Sequence, residues 1–310
     1  MKPIQLIPAN TRIDFTGKRK IAFVFSVALI VLSTFFYLNR GLNYGIDFEG
    51  GIMLDVAYET PPDLFAVRGT LGTLGLGDVE IQEFGEPNNI LVRVQRQEGD
   101  EKAQLAAIVA VKEALGEGLD YRRTEFVGPK VGEELIQAGL TAVILSLIAM
   151  LIYIWFRFEW QFGIGALVAL MHDVVTTIGL FAVLQLEFNL ATIAAILTIA
   201  GYSINDTVVV YDRVRENLRK YRKMDMLELL NLSVNQTLAR TTMTSVTTLL
   251  ALVALYVFGG AVIHDFVLAM MWGVFIGTYS SIFVAAPLLI GLNLRPGSAG
   301  ALSSEEGKTP

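Results

Sequence analysis

Six apolar runs punctuate the chain, at Ile21–Leu38, Leu135–Phe156, Phe162–Leu184, Leu190–Tyr211, Thr241–Phe258 and Phe266–Leu292. Each approaches the ~20 residues that a helix needs to cross ~30 Å of hydrocarbon, so the pattern predicts six transmembrane helices. The first run follows Gly17-Lys18-Arg19-Lys20, as the core of a signal peptide does. Phe35-Phe36-Tyr37-Leu38 stands where a small-residue cleavage site would be, so the run reads as a retained anchor.

Between the first two runs the period changes. Ile52–Ala57 reads as a strand, Pro61-Pro62-Asp63 opens a helix through about Leu74, and Val79–Phe84 reads as a second strand. Glu86-Pro87-Asn88-Asn89 has turn chemistry ahead of a third strand, Ile90–Val94. Glu101–Leu115 is rich in strong helix formers, and Tyr121–Val127 closes the series. The order β-α-β-β-α-β predicts a ferredoxin-like α+β domain. The expected organisation is a 1–20 cytoplasmic segment, a 21–38 first span and a 39–134 external domain, then a 135–292 five-helix bundle and a 293–310 disordered cytoplasmic tail.

Charge sets the orientation. Lys2, Arg12, Lys18, Arg19 and Lys20 precede the first span, and Arg213, Arg215, Arg219, Lys220, Arg222 and Lys223 follow the fourth. The connections around Gln185–Phe188 and Gly259–Asp265 hold no Lys or Arg. The positive-inside rule therefore places both termini and the basic connection in the cytoplasm, with Arg213–Lys223 resting on anionic lipid headgroups, and the 39–134 domain outside. Residues 41–132 hold 16 Asp+Glu against 8 Lys+Arg, a net of −8. That acidity argues against nucleic acid as a partner. The composition, 53% hydrophobic and 17% charged with a mean hydropathy of +0.53, fits a membrane protein. The chain has no cysteine, which excludes disulfides, thiol chemistry and cysteine metal sites.

Candidate chemistry lies inside the spans. Asp206, beside Asn205, interrupts the fourth run, where burying its charge costs on the order of 3 kcal/mol. Tyr202, Asp206, Val209 and Arg213 share a helix face, and Asp206 lies about six residues, ~9 Å of rise, from the charged end. Arg240 opens the fifth run from the same side, so the two form either a proton-dependent acid–base pair or a structural ion pair. Proximity to Arg⁺ favours a carboxylate and desolvation favours the neutral acid. His172-Asp173, near the middle of the third run, reads as a second proton station or as a polar lock. Thr241, Thr244, Ser245 and Thr248 put four hydroxyls on one face, for helix packing or for a hydrated route. Gly273 and Gly277 mark a close helix contact. Gly45, Asp47, Gly50 and Gly51 form either a hinge or an ordinary turn, with Asp47 bonding backbone amides. Neither His172 nor His264 has a second histidine at metal-ligand spacing, and Gly307-Lys308-Thr309 lacks the first glycine of a P-loop. No catalytic constellation, cofactor site or metal site is expected.

Five separated motifs carry a family resemblance: Gly45-Ile46-Asp47-Phe48-Glu49-Gly50-Gly51, Ala169-Leu170-Met171-His172-Asp173, Gly201–Glu216, Arg240–Ser245 and Gly277–Phe283. Across residues 5–292 the chain resembles the SecF family, the smaller subunits of the bacterial SecDF protein-export complex, in the resistance-nodulation-division superfamily. The resemblance implies a non-enzymatic subunit of the inner membrane that pairs with SecD, associates with the SecYEG channel and YajC, and acts on translocating unfolded proteins. It implies that protons are the coupling ion of the proton-motive force and that the relay acid and arginine map onto Asp206 and Arg240. Two other readings stand beside it. One is half of a proton-coupled small-molecule or lipid exporter of the same superfamily, which would be expected to carry a much larger external domain. The other is a structural scaffold, which leaves Asp206 and Arg240 without a purpose.

Overall fold

A computed structural model of the chain describes residues 11–97, 99, 101–116, 118–292 and 294. The expected tail, 293–310, lies outside the described residues apart from Leu294, as does the expected N-terminal segment up to residue 10. The first span is α1 (Arg19–Arg40), which Gly41 ends at φ 69°. A two-residue strand β1 (Asn43–Tyr44) and a one-turn helix α2 (Ile46–Glu49) follow.

The region between the first two spans is built from β2 (Gly51–Ala57), α3 (Leu64–Gly72), β3 (Val79–Phe84), β4 (Glu86–Val94), α4 (Glu101–Leu115) and β5 (Asp120–Val127). Its strands form an antiparallel sheet in the order β3-β4-β2-β5. Asp63 caps α3 by accepting from the Phe65 and Ala66 amides. Alternate residues of β2 (Ile52, Leu54 and Val56) join Ile90, Val92, Leu71 and Val111 in one core. Met53 and Leu91, on the opposite face, pack on Ile46 of α2, so the sheet rests on the segment leaving the first span. The expected turn at Glu86-Pro87-Asn88-Asn89 is instead the first part of β4, and Gly85 at φ 78° makes the reversal. Pairing overrides local turn preference there: Asn89 sits opposite Ala57, and Tyr58 exchanges hydrogen bonds with the Asn88 backbone and amide.

α5 (Pro129–Arg157) starts with proline in its first turn, where a missing N–H costs no helical bond. α6 (Trp160–Leu184) returns across the membrane and ends on Gln185, which adopts the left-handed region at φ 54°. Next, β6 (Glu187–Phe188) pairs in parallel with β1. A capping box between Asn189 and Thr192 opens α7 (Leu190–Lys220), and Asp225 caps α8 (Met226–Phe258). A 3₁₀ turn (Ala261–Ile263) leads into α9 (His264–Ser280), a π turn (Ser281–Ala285) and α10 (Ala286–Gly291), which together make the sixth span. Among the described residues six helical segments are long and apolar enough to cross a membrane, and the chain is a multi-pass membrane protein.

The spans differ from expectation in two places. α7 and α8 run well past the apolar segments, so most of the basic connection is helix, and Arg240 is the fifteenth residue of α8 instead of lying at its start. The added turns are amphipathic, not hydrophobic: Leu229, Leu230, Val234 and Leu238 bury one face against Tyr211, Val214 and Leu218 of α7. The sixth span is not one continuous α-helix. Pro287 cannot donate a backbone bond, and the chain widens into the π turn just before it.

Candidate functional site

The sixth span lies among four others, and successive residues on a helix turn by ~100°, so four in a row point in four directions. Thr278 bonds Ser245 on α8 at 2.7 Å, and Tyr279 contacts Ser26 at 3.0 Å and donates to the Ala22 carbonyl of α1 at 2.8 Å. Ser280 donates to Asp173 on α6 at 2.7 Å, and Ser281 meets Thr207 on α7 at 2.8 Å. The result is a polar layer within the apolar bundle, with the α-to-π transition at its centre. Close backbone approach makes it possible. A Cβ on Gly273 would clash with the Ile199 side chain, and one on Gly277 would lie 3.1 Å from Ser203 Cβ. The expected small-residue contact therefore joins α7 and α9 within the chain.

The two acids of this layer have unlike surroundings. Asp173 is fully buried, with Oδ2 accepting from Ser203 (2.5 Å) and Ser280 (2.7 Å) and Oδ1 lying 3.0 Å from His172 Nδ1. Its backbone carbonyl also accepts from Thr176 and Thr177. Ser203 and Asp206 are three residues apart on α7, so the acids occupy levels ~4.5 Å apart along that helix. Asp206 is 3% exposed and faces Thr241 and Thr278, and the charge of Arg240 acts on it. Yet among the described residues neither Asp206 Oδ2 nor Thr241 Oγ1 has a partner at hydrogen-bonding geometry. Among the described residues Asp206 forms no ion pair with Arg240, whose side chain is exposed on α8.

The structure brings Asp206, Thr241 and Ser245 together. Ser245 joins Tyr202 (3.4 Å) to Thr278, and Thr241 is buried beside them. Thr244 turns back to the carbonyls of Arg240 and Thr241, while Thr248 is half-buried. Asn205 is exposed on the side of α7 away from the layer. His172 is buried, its Nε2 has no partner among the described residues, and its ring is 6.0 Å from that of Tyr279.

Comparison with known proteins identifies the setting. Residues 108–295 match the C-terminal region of the SecD/SecF protein-export membrane proteins, and residues 38–62 match the SecD/SecF GG motif. The protein translocase subunit SecF of Magnetococcus marinus is 49% identical over 97% of this chain and 98% of its own length. That of Rickettsia rickettsii is 45% identical over 93% and 94%. The chain belongs to the SecF family.

Solved SecDF structures have the same fold. One, a translocon-associated membrane protein from Thermus thermophilus, is 37% identical with a TM-score of 0.84, covering 94% of this chain. A second, SecDF in a super-membrane-facing form, is 34% identical with a TM-score of 0.68 over 99% of this chain. This SecF-family chain spans 40% and 41% of those two longer chains.

The glycine motif of the family sits where the sheet meets the bundle. Gly50 and Gly51 have φ of 73° and 117°, and a Cβ on Gly51 would meet the Val94 carbonyl at 2.6 Å. Between Gly45 and Gly50 the motif is the helical turn α2, not an open turn. Asp47 accepts from the Leu190 amide at 2.9 Å, an unsatisfied N–H of the first turn of α7. Nearby, Arg93 of the sheet pairs with Glu187 at 2.6 Å and donates to Asn43 at 3.0 Å.

Ser203, Thr278, Ser280 and Ser281 complete the polar layer, and sequence reasoning assigned them no role. Their signal was present as four adjacent polar residues, 278–281, in an apolar run. What they bond depends on which helices surround the sixth span.

Proposed function

We propose that this chain works as an accessory subunit of the Sec translocase, which with SecD uses the proton-motive force to move unfolded proteins across the bacterial inner membrane. The α7–α8 turn faces the cytoplasm in this reading, and the sheet is a ferredoxin-like domain on the periplasmic side. SecYEG and YajC are the further partners. The observation that carries the proton reading is the unbonded, buried Oδ2 of Asp206, beside the exposed cation of Arg240. A carboxylate held by fixed donors has no reason to change protonation in a cycle. One that lacks them is sensitive to whether a cation approaches or withdraws. Closing Arg240 onto Asp206 favours the ionised form and proton release; opening the pair leaves a desolvated carboxylate that takes up a proton.

A charge crossing the membrane field gains ~2.3 kcal/mol per 100 mV, enough to bias a two-state movement, although a full population reversal takes ~5.5 kcal/mol. The route outward is α7 itself. From Asp206 to the Leu190 amide held by Asp47 is ~24 Å along the helix, and the Arg93–Glu187 pair ties that end to the sheet. The unequal fit to two SecDF forms, at nearly equal identity, supports parts of this fold moving relative to one another.

The test is export in cells depleted of the native protein and supplied with Asp206→Asn at matched membrane abundance and SecD association. Loss of export to the level of depleted cells is the expected result. Normal export would make Asp206 a packing residue and move the search to His172 and Asp173.

A further inference from the structure

Two apolar grooves open on the sides of the bundle. One, of about 530 Å³, is lined by Ser33, Tyr37, Leu42, Ile136, Leu140 and Ile193, and its lining includes no charged residue. The other, of about 560 Å³, runs along α1 from Arg19 and Lys20 past Phe23 and Val27 to Ile30. Its opposite wall is the last part of the sixth span, with Phe283, Val284 and Leu288, and His172 lines it where Nε2 has no hydrogen-bond partner.

We infer that this second groove binds one acyl chain of an anionic phospholipid, with its phosphate held by Arg19 and Lys20. Charge and length both support this. Among the described residues neither cation has an ion-pair partner. Arg19 gives one guanidinium N–H to the Thr16 carbonyl and keeps the others. Asp14, the nearest carboxylate in sequence, accepts from Thr16 and Gly17 instead. Basic side chains at the headgroup level attract anionic lipid.

From Arg19 to Ile30 is eleven residues of helix, ~16 Å of rise, against ~15 Å for half of a ~30 Å hydrocarbon core. A lipid whose phosphate meets the two cations therefore lays its chain along the groove as far as the middle of the membrane, where His172 lies. The inference needs only that α1 spans the membrane. It holds whether or not Asp206 carries protons.

The experiment uses the full chain with SecD in phosphatidylcholine nanodiscs. These carry a small fraction of photoactivatable phosphatidylglycerol or photoactivatable phosphatidylcholine, with a diazirine near the end of one acyl chain. Peptides spanning Phe23–Ile30 are expected to label about thirtyfold more with the anionic probe than with the zwitterionic one, the combined attraction of two basic residues at the headgroup level. The Arg19→Gln/Lys20→Gln double variant, altered only at the groove mouth, brings the ratio near one. Val27→Trp, on a half-exposed position of the wall, reduces labelling by both probes. The uncharged groove, labelled equally by both, is the internal control. Equal labelling of the charged groove in the unmodified protein would overturn the inference, leaving ordinary boundary lipid. So would no labelling there together with a crosslink to SecD, which would show that a partner helix covers the groove.

Discussion

Asp173 and Asp206 lie one helical turn apart in level and differ in almost everything else. Both oxygens of Asp173 are engaged by side chains of three helices, including its own. Asp206 is as deeply placed, yet its Oδ2 is unbonded, and the nearby cation has not closed on it. Burial alone does not assign a role to an intramembrane acid. The number of donors already committed to it does. A saturated carboxylate joins helices, whereas an unsaturated one has capacity for a partner that arrives in another state. On this comparison the donors on Asp173 tie α6, α9 and Ser203 of α7 into a fixed unit, and in the proposed reading the contact that changes is that of Asp206 with Arg240 of α8.

The largest expected effect is functional and tests the Asp206 half. Asp206→Asn should lower export at least tenfold while changing the thermal stability of the purified protein by less than about 1 kcal/mol, because no geometrically sound bond at Oδ2 is lost. Asp173→Ala should do the reverse in stability. It strips acceptors from Ser203, Ser280 and His172, at about 3 kcal/mol for three contacts in a bilayer, measurable by thermal unfolding in lipid nanodiscs. If the two variants lose stability equally, donor count does not separate a lock from a relay and the comparison fails.

Legibility in the sequence follows the same division. Asp206 stands out because a charge in an apolar run is costly wherever it points, so no partner has to be known. The strands Val79–Phe84 and Ile52–Ala57 are legible from local pattern and the helix Glu101–Leu115 from its strong helix formers, and the structure follows all three to within a residue. The donors of Asp173 are not. Ser203 and Ser280 are 30 and 107 residues away, and serine in a membrane helix commonly bonds its own backbone. The first turns of α8 are missed by hydropathy because Leu229, Leu230 and Val234 form a one-sided stripe, not an apolar run. β1 and β6 are two residues each, too short for any alternation to register.

The next effect sharpens where the fixed unit ends. Gly273→Ala places a methyl against the side chain of Ile199, which is buried in the α7–α9 contact. A loss of about 2 kcal/mol in thermal stability is expected. Gly201, whose added Cβ meets nothing within 4 Å, should accept alanine with no loss. A neutral Gly273→Ala would mean that α7 slides freely on α9, and the fixed side of the comparison would disappear.

The smallest expected effect probes the link from the acids to the sheet. Asp47→Ala removes the carboxylate from the Leu190 amide at the start of α7, while Asn189 still caps the Thr192 amide. About 1 kcal/mol of stability should be lost, as for a single N-terminal capping group. The consequence for export should exceed that cost if α7 carries the movement outward, because the bundle could then shift without pulling the glycine segment. Asp47→Asn is the matched control, since its amide oxygen still accepts from Leu190 and its charge is gone. Export retained by Asn and lost by Ala at equal abundance assigns the effect to the mechanical contact. Export lost by both assigns it to the negative charge at the helix start, and export retained by both removes Asp47 from the coupling path.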